Sequence, residues 1–169
     1  QGIRKDGERD TQREGNEMTL RPYREEDLKE ILSLFYRSVH ELAAGDYTSA
    51  QLDAWAPSHP DEEGWRRSLA ARFALAAEED GRIVGFGDLD GDYLDRLYVL
   101  PEMKGRGAGS LLCGALEERA RAAGEKRMTA FSSRTALSFF AGRGYAVLRE
   151  NTVERRGRYL INYKVEKFF

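Results

Sequence analysis

The sequence predicts a single α/β domain, a mixed sheet with helices on both of its faces, and three observations point there. Hydrophobic rhythms of period two and period 3.6 alternate along the chain, as they do where strands and helices share one core. A glycine-rich loop stands between a strand-like run and a long amphipathic stretch, LYVLPEMKGRGAGSLLCGALEE. The chain has 169 residues, enough to bury one substantial core without metal or disulfide staples.

Residues 1–17 hold nine charges and one sizeable apolar residue, Ile3. Such a segment cannot offset its ordering entropy by burial, which predicts a flexible tail, native or vector-derived, ahead of a folded domain over 18–169. From Met18 the run MTLRPY alternates like a half-buried strand. Between Arg24 and Glu41 the spacing of Leu28, Ile31, Leu32, Phe35 and Val39 predicts an amphipathic helix with acidic residues in its first turn. Beyond Gly45 come a turn, a short Ser/Thr-capped helix ending at Trp55, and a proline-punctuated stop. Another short helix spans 61–70.

Runs at 73–77 and 82–89 flank Asp80-Gly81, a tight-turn pair, and so form a hairpin. A turn at 90–92 leads into a third strand, 93–100, closed by Pro101. The loop's helix runs over 110–123 and stops at Gly124. A strand (128–131), a helix (135–142) and two strands (145–153 and 158–167) joined by a turn at 155–157 complete the chain.

Composition excludes several classes of function. With 27 basic and 29 acidic residues the formal net charge is −2, which argues against nucleic-acid binding. The longest apolar runs fall short of a membrane span. One cysteine, Cys113, leaves no internal disulfide or cysteine-based zinc site and predicts a reducing, cytoplasmic setting. His40 and His59 lack metal-ligand spacing, so no metal is expected.

The loop carries the chemistry. Gly105, Gly107 and Gly109 let backbone N–H groups approach a ligand closely, and the helix behind them leaves its first donors unpaired and presents its positive end. Lys104 and Arg106 add charge, so the loop suits the pyrophosphate of a nucleotide-bearing cofactor. A Walker A loop would need Lys after the glycines, and none follows. A dinucleotide fingerprint fails at Ser110 and lacks an acidic residue after the next strand.

A third loop fits. The run is similar to motif A of the GNAT superfamily of acyl-CoA-dependent N-acyltransferases: a strand bearing Leu97, Tyr98 and Val99, then Val-x-Pro through Pro101, then Lys104, Gly107 and Gly109 in the loop. A second element of that family resembles SRTALSFFAGRGY, with Ser133, Ala136, Phe139, Phe140, Gly144 and Tyr145 at its positions. The segment ELAAGDYTSAQLDAWAP resembles a little-characterised bacterial subgroup of GNAT proteins.

The resemblance implies a mostly antiparallel central sheet splayed between two parallel strands, here 93–99 and 128–131, with acetyl-CoA in the opening. It further implies pantetheine pairing with the backbone of Leu97 and Val99. Pyrophosphate would be held by Gly105, Arg106, Gly107, Ala108, Gly109 and Ser110 beside Lys104, with Ser133 and Phe139 along the cofactor arm. A backbone N–H near Tyr98 or Val99 would polarise the thioester carbonyl. The general base would stand at Asp95, acting through water. Asp95 is equally readable as a solvated or ion-paired strand carboxylate, with Asp88, Asp90 and Asp92 as secondary candidates that read as turn residues. Phe140 occupies a position where many GNAT enzymes place a proton-donating tyrosine, so the acid falls to Tyr145, Tyr98 or water. Cys113 reads as a core residue. The aromatic residues of the segment expected to build the acceptor pocket, Tyr47 and Trp55 foremost, predict a small primary amine with an apolar or aromatic body as acceptor. Two other functions stay open: a non-catalytic acyl-CoA sensor and a peptide or protein N-acetyltransferase. The protein is expected as a monomer or homodimer.

Overall fold

A computed structural model describes residues 17–169. The expected tail lies outside the described residues, apart from Glu17. Seven strands form one sheet: β1 (Thr19–Pro22), β2 (Phe73–Glu79), β3 (Arg82–Asp90), β4 (Tyr93–Val99), β5 (Arg127–Ser133), β6 (Ala146–Arg155) and β7 (Arg158–Phe168). Their spatial order is β1-β2-β3-β4-β5-β7-β6. Five α-helices accompany them: α1 (Leu28–Leu42), α2 (Ser49–Trp55), α3 (Glu62–Ala71), α4 (Ala108–Ala122) and α5 (Leu137–Gly142). No described helix is long and apolar enough to cross a membrane.

Every neighbouring pair of strands is antiparallel except β4 and β5. Those two pair only at Tyr93↔Thr129 and Leu94↔Ala130. Beyond Leu94 they part, so the backbone of 96–99 is paired with β3 on one side and has no strand partner on the other.

Local sequence explains most boundaries. Thr48 caps α2 by accepting from the Gln51 N–H while the Gln51 side chain accepts from the Thr48 N–H, a reciprocal capping box. Asp61 caps α3 through the Gly64 N–H. The β2–β3 turn takes Asp80 at φ 52 and Gly81 at φ 76, the left-handed pair that matches hairpin twist.

Several boundaries moved. The first long helix starts at Leu28 rather than Arg24, because Glu25–Asp27 form a 3-10 turn in which the Asp27 carboxylate accepts from the Arg24 N–H and from Arg21. The loop's helix starts at Ala108, two residues early, since Gly107 at φ 89 is already its N-cap. The last helix starts at Leu137 instead of Thr135, because the Ser133 hydroxyl accepts from the Ala136 N–H and holds 134–136 as a turn.

The core lies on both faces of the sheet, and β3 sorts them. Phe86 faces α1 and α3, packing near Trp65 and Tyr98. Its neighbours Gly85 and Gly87 face α4, where an added Cβ would stand 2.9 Å from Leu112 Cδ1 and from Leu116 Cδ1 respectively. The two glycines therefore let α4 seat directly on the strand backbone. That close seating fixes the position of the Gly107 end of α4 beside the β4–β5 opening.

Candidate active site

The opening between β4 and β5 is a cleft of about 450 Å³. Leu97, Tyr98 and Val99 line it from β4, and Lys104, Gly105, Gly107, Ala108, Gly109 and Ser110 from the loop and the first turn of α4. Ser133, Ala136, Phe139 and Phe140 close the far side, with Val39 and Leu42 of α1 above. Gly105 stands at φ 76 and Gly107 at φ 89, and a Cβ at either would meet nothing within 4 Å. The bend is thus open space bordered by backbone, and the first N–H groups of α4, which have no carbonyl one turn earlier in the helix, face a concave wall. Phe139 packs edge-on to Gly109, 3.4 Å from where its Cβ would be.

Arg106 departs from the expected cradle. Its guanidinium turns to Glu79 Oε1 at 3.3 Å and Met103 Sδ at 3.4 Å, and its N–H donates to the Met103 carbonyl at 3.0 Å. The residue does not line the cleft, so the positive side chain at the loop is Lys104 alone.

A second cavity of about 380 Å³ lies against the first. Both are lined by Trp55, Leu97, Tyr98, Ser133, Ala136 and Phe140, so these six residues form a gate where two chambers meet. The second chamber is aromatic on its inner side, with Phe35, Tyr47, Trp65, Tyr93 and Phe131, and reaches the β6–β7 turn at Arg155 and Arg156.

Tyr98 is the polar centre of the gate. Its ring stacks on Phe86 at 5.8 Å and meets Phe35 edge-on at 4.9 Å. Burial pushes its hydroxyl up to about 12, and the nearby Trp55 indole acts against that rise. The hydroxyl therefore keeps its proton throughout the neutral range.

Asp95 also lines the second chamber. The β3–β4 register jumps from Asp88↔Arg96 to Leu89↔Leu94, so Asp95 is the extra residue of a β-bulge. Its Oδ2 pairs with Arg72 and stands 3.7 Å from Arg96 Nε. The bulge also frees the Arg96 N–H, which donates to Asp88 Oδ1 at 2.9 Å, while Arg96 Nε and Nη2 reach Asp88 Oδ2 at 2.9 and 2.6 Å. Asp88 is 0% exposed, a buried strand residue and not the turn residue expected. Arg96 further lies over the Trp65 ring at 4.4 Å and donates to the Ser68 hydroxyl.

Tyr145 is not brought to either chamber. It is buried beyond Phe140, its hydroxyl 3.8 Å from Cys113 Sγ, and burial pushes its ionisation far above the usual phenol range. Burial, followed by the Glu117 charge, likewise pushes the Cys113 thiol up to about 11, which suits a core residue. Glu117 nearby accepts from Arg143 and from Lys167 at 2.6 Å. Tyr47 lines the acceptor-side chamber, but its hydroxyl is committed: it donates to the Ile161 carbonyl at 2.7 Å and accepts from the Arg134 N–H at 3.0 Å. His40 is tied to the Ala56 carbonyl at 2.8 Å and stacks on Tyr36. Among the described residues no group of three or more His, Cys, Asp or Glu stands close enough to hold a metal ion.

Sequence reasoning missed the Arg72–Asp88–Arg96 cluster and the two turn arginines. Arg96 was readable as a cation on the same strand face as Tyr98, two residues on. Arg72, which pairs with the lining Asp95, and the cavity-lining Arg155 and Arg156 come to the site only through tertiary packing.

A splayed parallel pair, a glycine-rich bend at a helix start and a gate between two chambers define the class: acetyl-CoA-dependent N-acetyltransferases. The chain belongs to the GNAT family, for residues 43–167 match the family described as "Acetyltransferase (GNAT) domain". It is 31% identical over 148 residues to YafP, an uncharacterized N-acetyltransferase of Escherichia coli strain K12, covering 88% of this chain and 94% of that one. Its fold matches a GCN5-related N-acetyltransferase from Rhodopseudomonas palustris with a TM-score of 0.87 at 39% identity, over 89% of this chain and 95% of the other. PaiA N-acetyltransferase from Thermoplasma acidophilum, solved with coenzyme A, matches with a TM-score of 0.76 at 20% identity, over 90% and 99% of the two chains.

Proposed function

We propose that this protein transfers an acetyl group from acetyl-CoA to the primary amine of a small molecule with an apolar or aromatic body, by direct attack of the amine on the thioester. The observation that carries the reading is the gate: one cleft with the shape and donors for a coenzyme meets a second, aromatic chamber across Tyr98, Trp55 and Phe140.

In this reading the unpaired edge of β4 at Leu97 and Val99 receives the pantetheine arm like an added strand. The amides from Gly107 to Ser110, at the positive end of α4, hold the diphosphate with Lys104 beside them. Gly105 contributes room. A β4 amide near Tyr98 or Val99 stabilises the oxyanion that forms as the amine attacks.

Two protons must move. The amine arrives as an ammonium, with a pKa of about 10.4 for a lysine-like group, and has to lose a proton before it can attack. Asp95 takes that proton through water, with Arg72 on its Oδ2. The departing thiolate is tolerable near neutral pH because a thiol ionises at about 8.5. Tyr98, protonated at every working pH, gives its proton to the sulfur as the C–S bond breaks and regains one from water, since a phenolate whose conjugate acid ionises at about 12 does not persist at neutral pH. Phe140 has no proton to give, and Tyr145 is occupied elsewhere.

Thiol release from acetyl-CoA, followed with and without a panel of primary amines, tests the reading. Amine-dependent release of CoA is the expected result. Calorimetric binding of acetyl-CoA with no release toward any amine would instead leave a non-catalytic acyl-CoA module.

A further inference from the structure

Charge in the acceptor chamber is compensated unevenly. At the inner wall the carboxylates of Asp95 and Asp88 are matched by Arg72 and Arg96. At the outer end stand Arg155 and Arg156, exposed, from the turn that joins β6 to β7. Among the described residues neither of them pairs with a carboxylate. Arg155 Nη1 donates to the carbonyl of Glu154 at 3.1 Å, and Arg156 Nη1 to the carbonyl of Ala54 at 2.8 Å, next to the gate residue Trp55. One lining carboxylate remains, Asp61, whose Oδ1 caps α3 through the Gly64 N–H. Two cations against one anion leave the outer chamber one positive charge in excess.

The backbone marks the same place. Arg156 stands at φ 47 and Gly157 at φ 77, a two-residue turn whose first position favours Asn, Asp or Gly. A long side chain there strains the backbone, and such strain persists where the side chain serves something else. Arg155 lines the same chamber as Tyr93. Burial pushes the Tyr93 hydroxyl up, while the charges of Arg72 and then Arg155 act against that rise.

We infer that the acceptor carries a carboxylate at the end remote from its reacting amine, and that Arg155 and Arg156 hold it at the mouth of the chamber. The inference rests on the acetyl-transfer reading above and names the substrate class for the same site. The amine must reach the gate at Tyr98, whereas the arginines stand at the solvent end, so the two charged groups of the acceptor lie apart. The aromatic wall between them accommodates an apolar body. A guanidinium fork matches a planar carboxylate with paired hydrogen bonds, and a single excess positive charge matches a monoanion.

Two matched pairs of acceptors test this, each acid carrying its carboxylate across the ring from the amine: para-(2-aminoethyl)benzoate against phenethylamine, and para-(aminomethyl)benzoate against benzylamine. The readout is the ratio of kcat/KM for the acid over its carboxylate-free twin, measured in wild type and in Arg155→Gln/Arg156→Gln. Intrinsic amine reactivity cancels because each pair is compared in both enzymes, and incomplete folding cancels within each ratio. Arg158→Gln, an exposed arginine that does not line the chamber, serves as control. In at least one pair the ratio should fall about tenfold or more in the double variant, as expected for losing a charged hydrogen bond, and hold in the control. A ratio unmoved by the double variant, with amines still acetylated, overturns the carboxylate inference and leaves acetyl transfer standing. Absence of acetylation with any amine overturns both.

Discussion

Tyr98 is the residue on which the proton traffic turns, because Phe140 removed the usual donor and the gate left one hydroxyl in its place. Tyr98→Phe keeps the ring that packs on Phe86 and Phe35 and deletes only the proton. We expect kcat to fall about tenfold to a hundredfold, toward the lower end of general-acid effects because a thiolate leaves tolerably without help. The KM for acetyl-CoA should change little. A tyrosine donates below its pKa, so with Tyr98 raised to about 12 its contribution persists across the neutral range and produces no rate loss of its own between pH 6 and roughly pH 10. Stopped-flow or steady-state rates of the variant across that range check both statements. Asp88 is a different kind of residue, wholly buried and bonded three times to Arg96. Asp88→Ala strands that guanidinium against Trp65, and urea unfolding should show a loss of about 3 kcal/mol or more.

At the scale of elements, the strand–loop–helix unit from β4 to α4 was the most legible part of the chain. Its glycine spacing and Val-x-Pro step announce a bend that must leave room for a ligand, and Gly105 and Gly107 do stand open at positive φ. What spacing could not convey is where a loop side chain turns: Arg106 found Glu79 on β2, a partner distant in sequence. The β4 bulge was equally hidden, since a register slip depends on the neighbouring strand. The seating of α4 on β3 gives a prediction at this scale. Gly87→Val drives a branched side chain into Leu116 and toward the Arg96 carbonyl, which a Cβ would approach to 3.1 Å. A loss of about 1–3 kcal/mol in urea unfolding is expected, together with weaker acetyl-CoA binding because α4 carries the loop's donors. Unchanged stability would mean that α4 packs less tightly on the sheet than the distances indicate.

Across the whole molecule, the element order and the sheet with its single parallel pair could be anticipated, whereas the second chamber could not. Its walls come from α1, α2, α3, β4, β5 and the β6–β7 turn, residues scattered from Phe35 to Asn162. Trp55 and Tyr47 were nameable as aromatic candidates, but Tyr47 turns out to tie α2's lead-in to β7 and to the start of the α5 turn, which hydropathy alone does not encode. The molecule also carries a pH dependence of stability. Burial raises the cost of ionising Glu117, yet its bonds from Lys167 and Arg143 outweigh that cost and hold its carboxyl below the usual range. A depressed carboxylate stabilises the fold above its unfolded pKa of about 4.3 and loses that contribution as pH falls toward the folded value. Wild type should therefore lose stability between pH 5 and lower values more steeply than Glu117→Gln, although the variant is less stable at pH 7. Urea titrations at several pH values read the difference in slope.

The binding of acetyl-CoA to the bend at Gly107 can be probed without relying on turnover. Asp and Asn both tolerate the left-handed backbone that this position requires, and the Cβ of either would enter open space. They differ by one negative charge. Calorimetric titration of acetyl-CoA into wild type, Gly107→Asn and Gly107→Asp should show binding in the first two and at least a tenfold weaker affinity in the third, as a carboxylate is forced against the diphosphate. Equal affinity in Gly107→Asp and Gly107→Asn, or no affinity of the wild type for the coenzyme, would contradict the account.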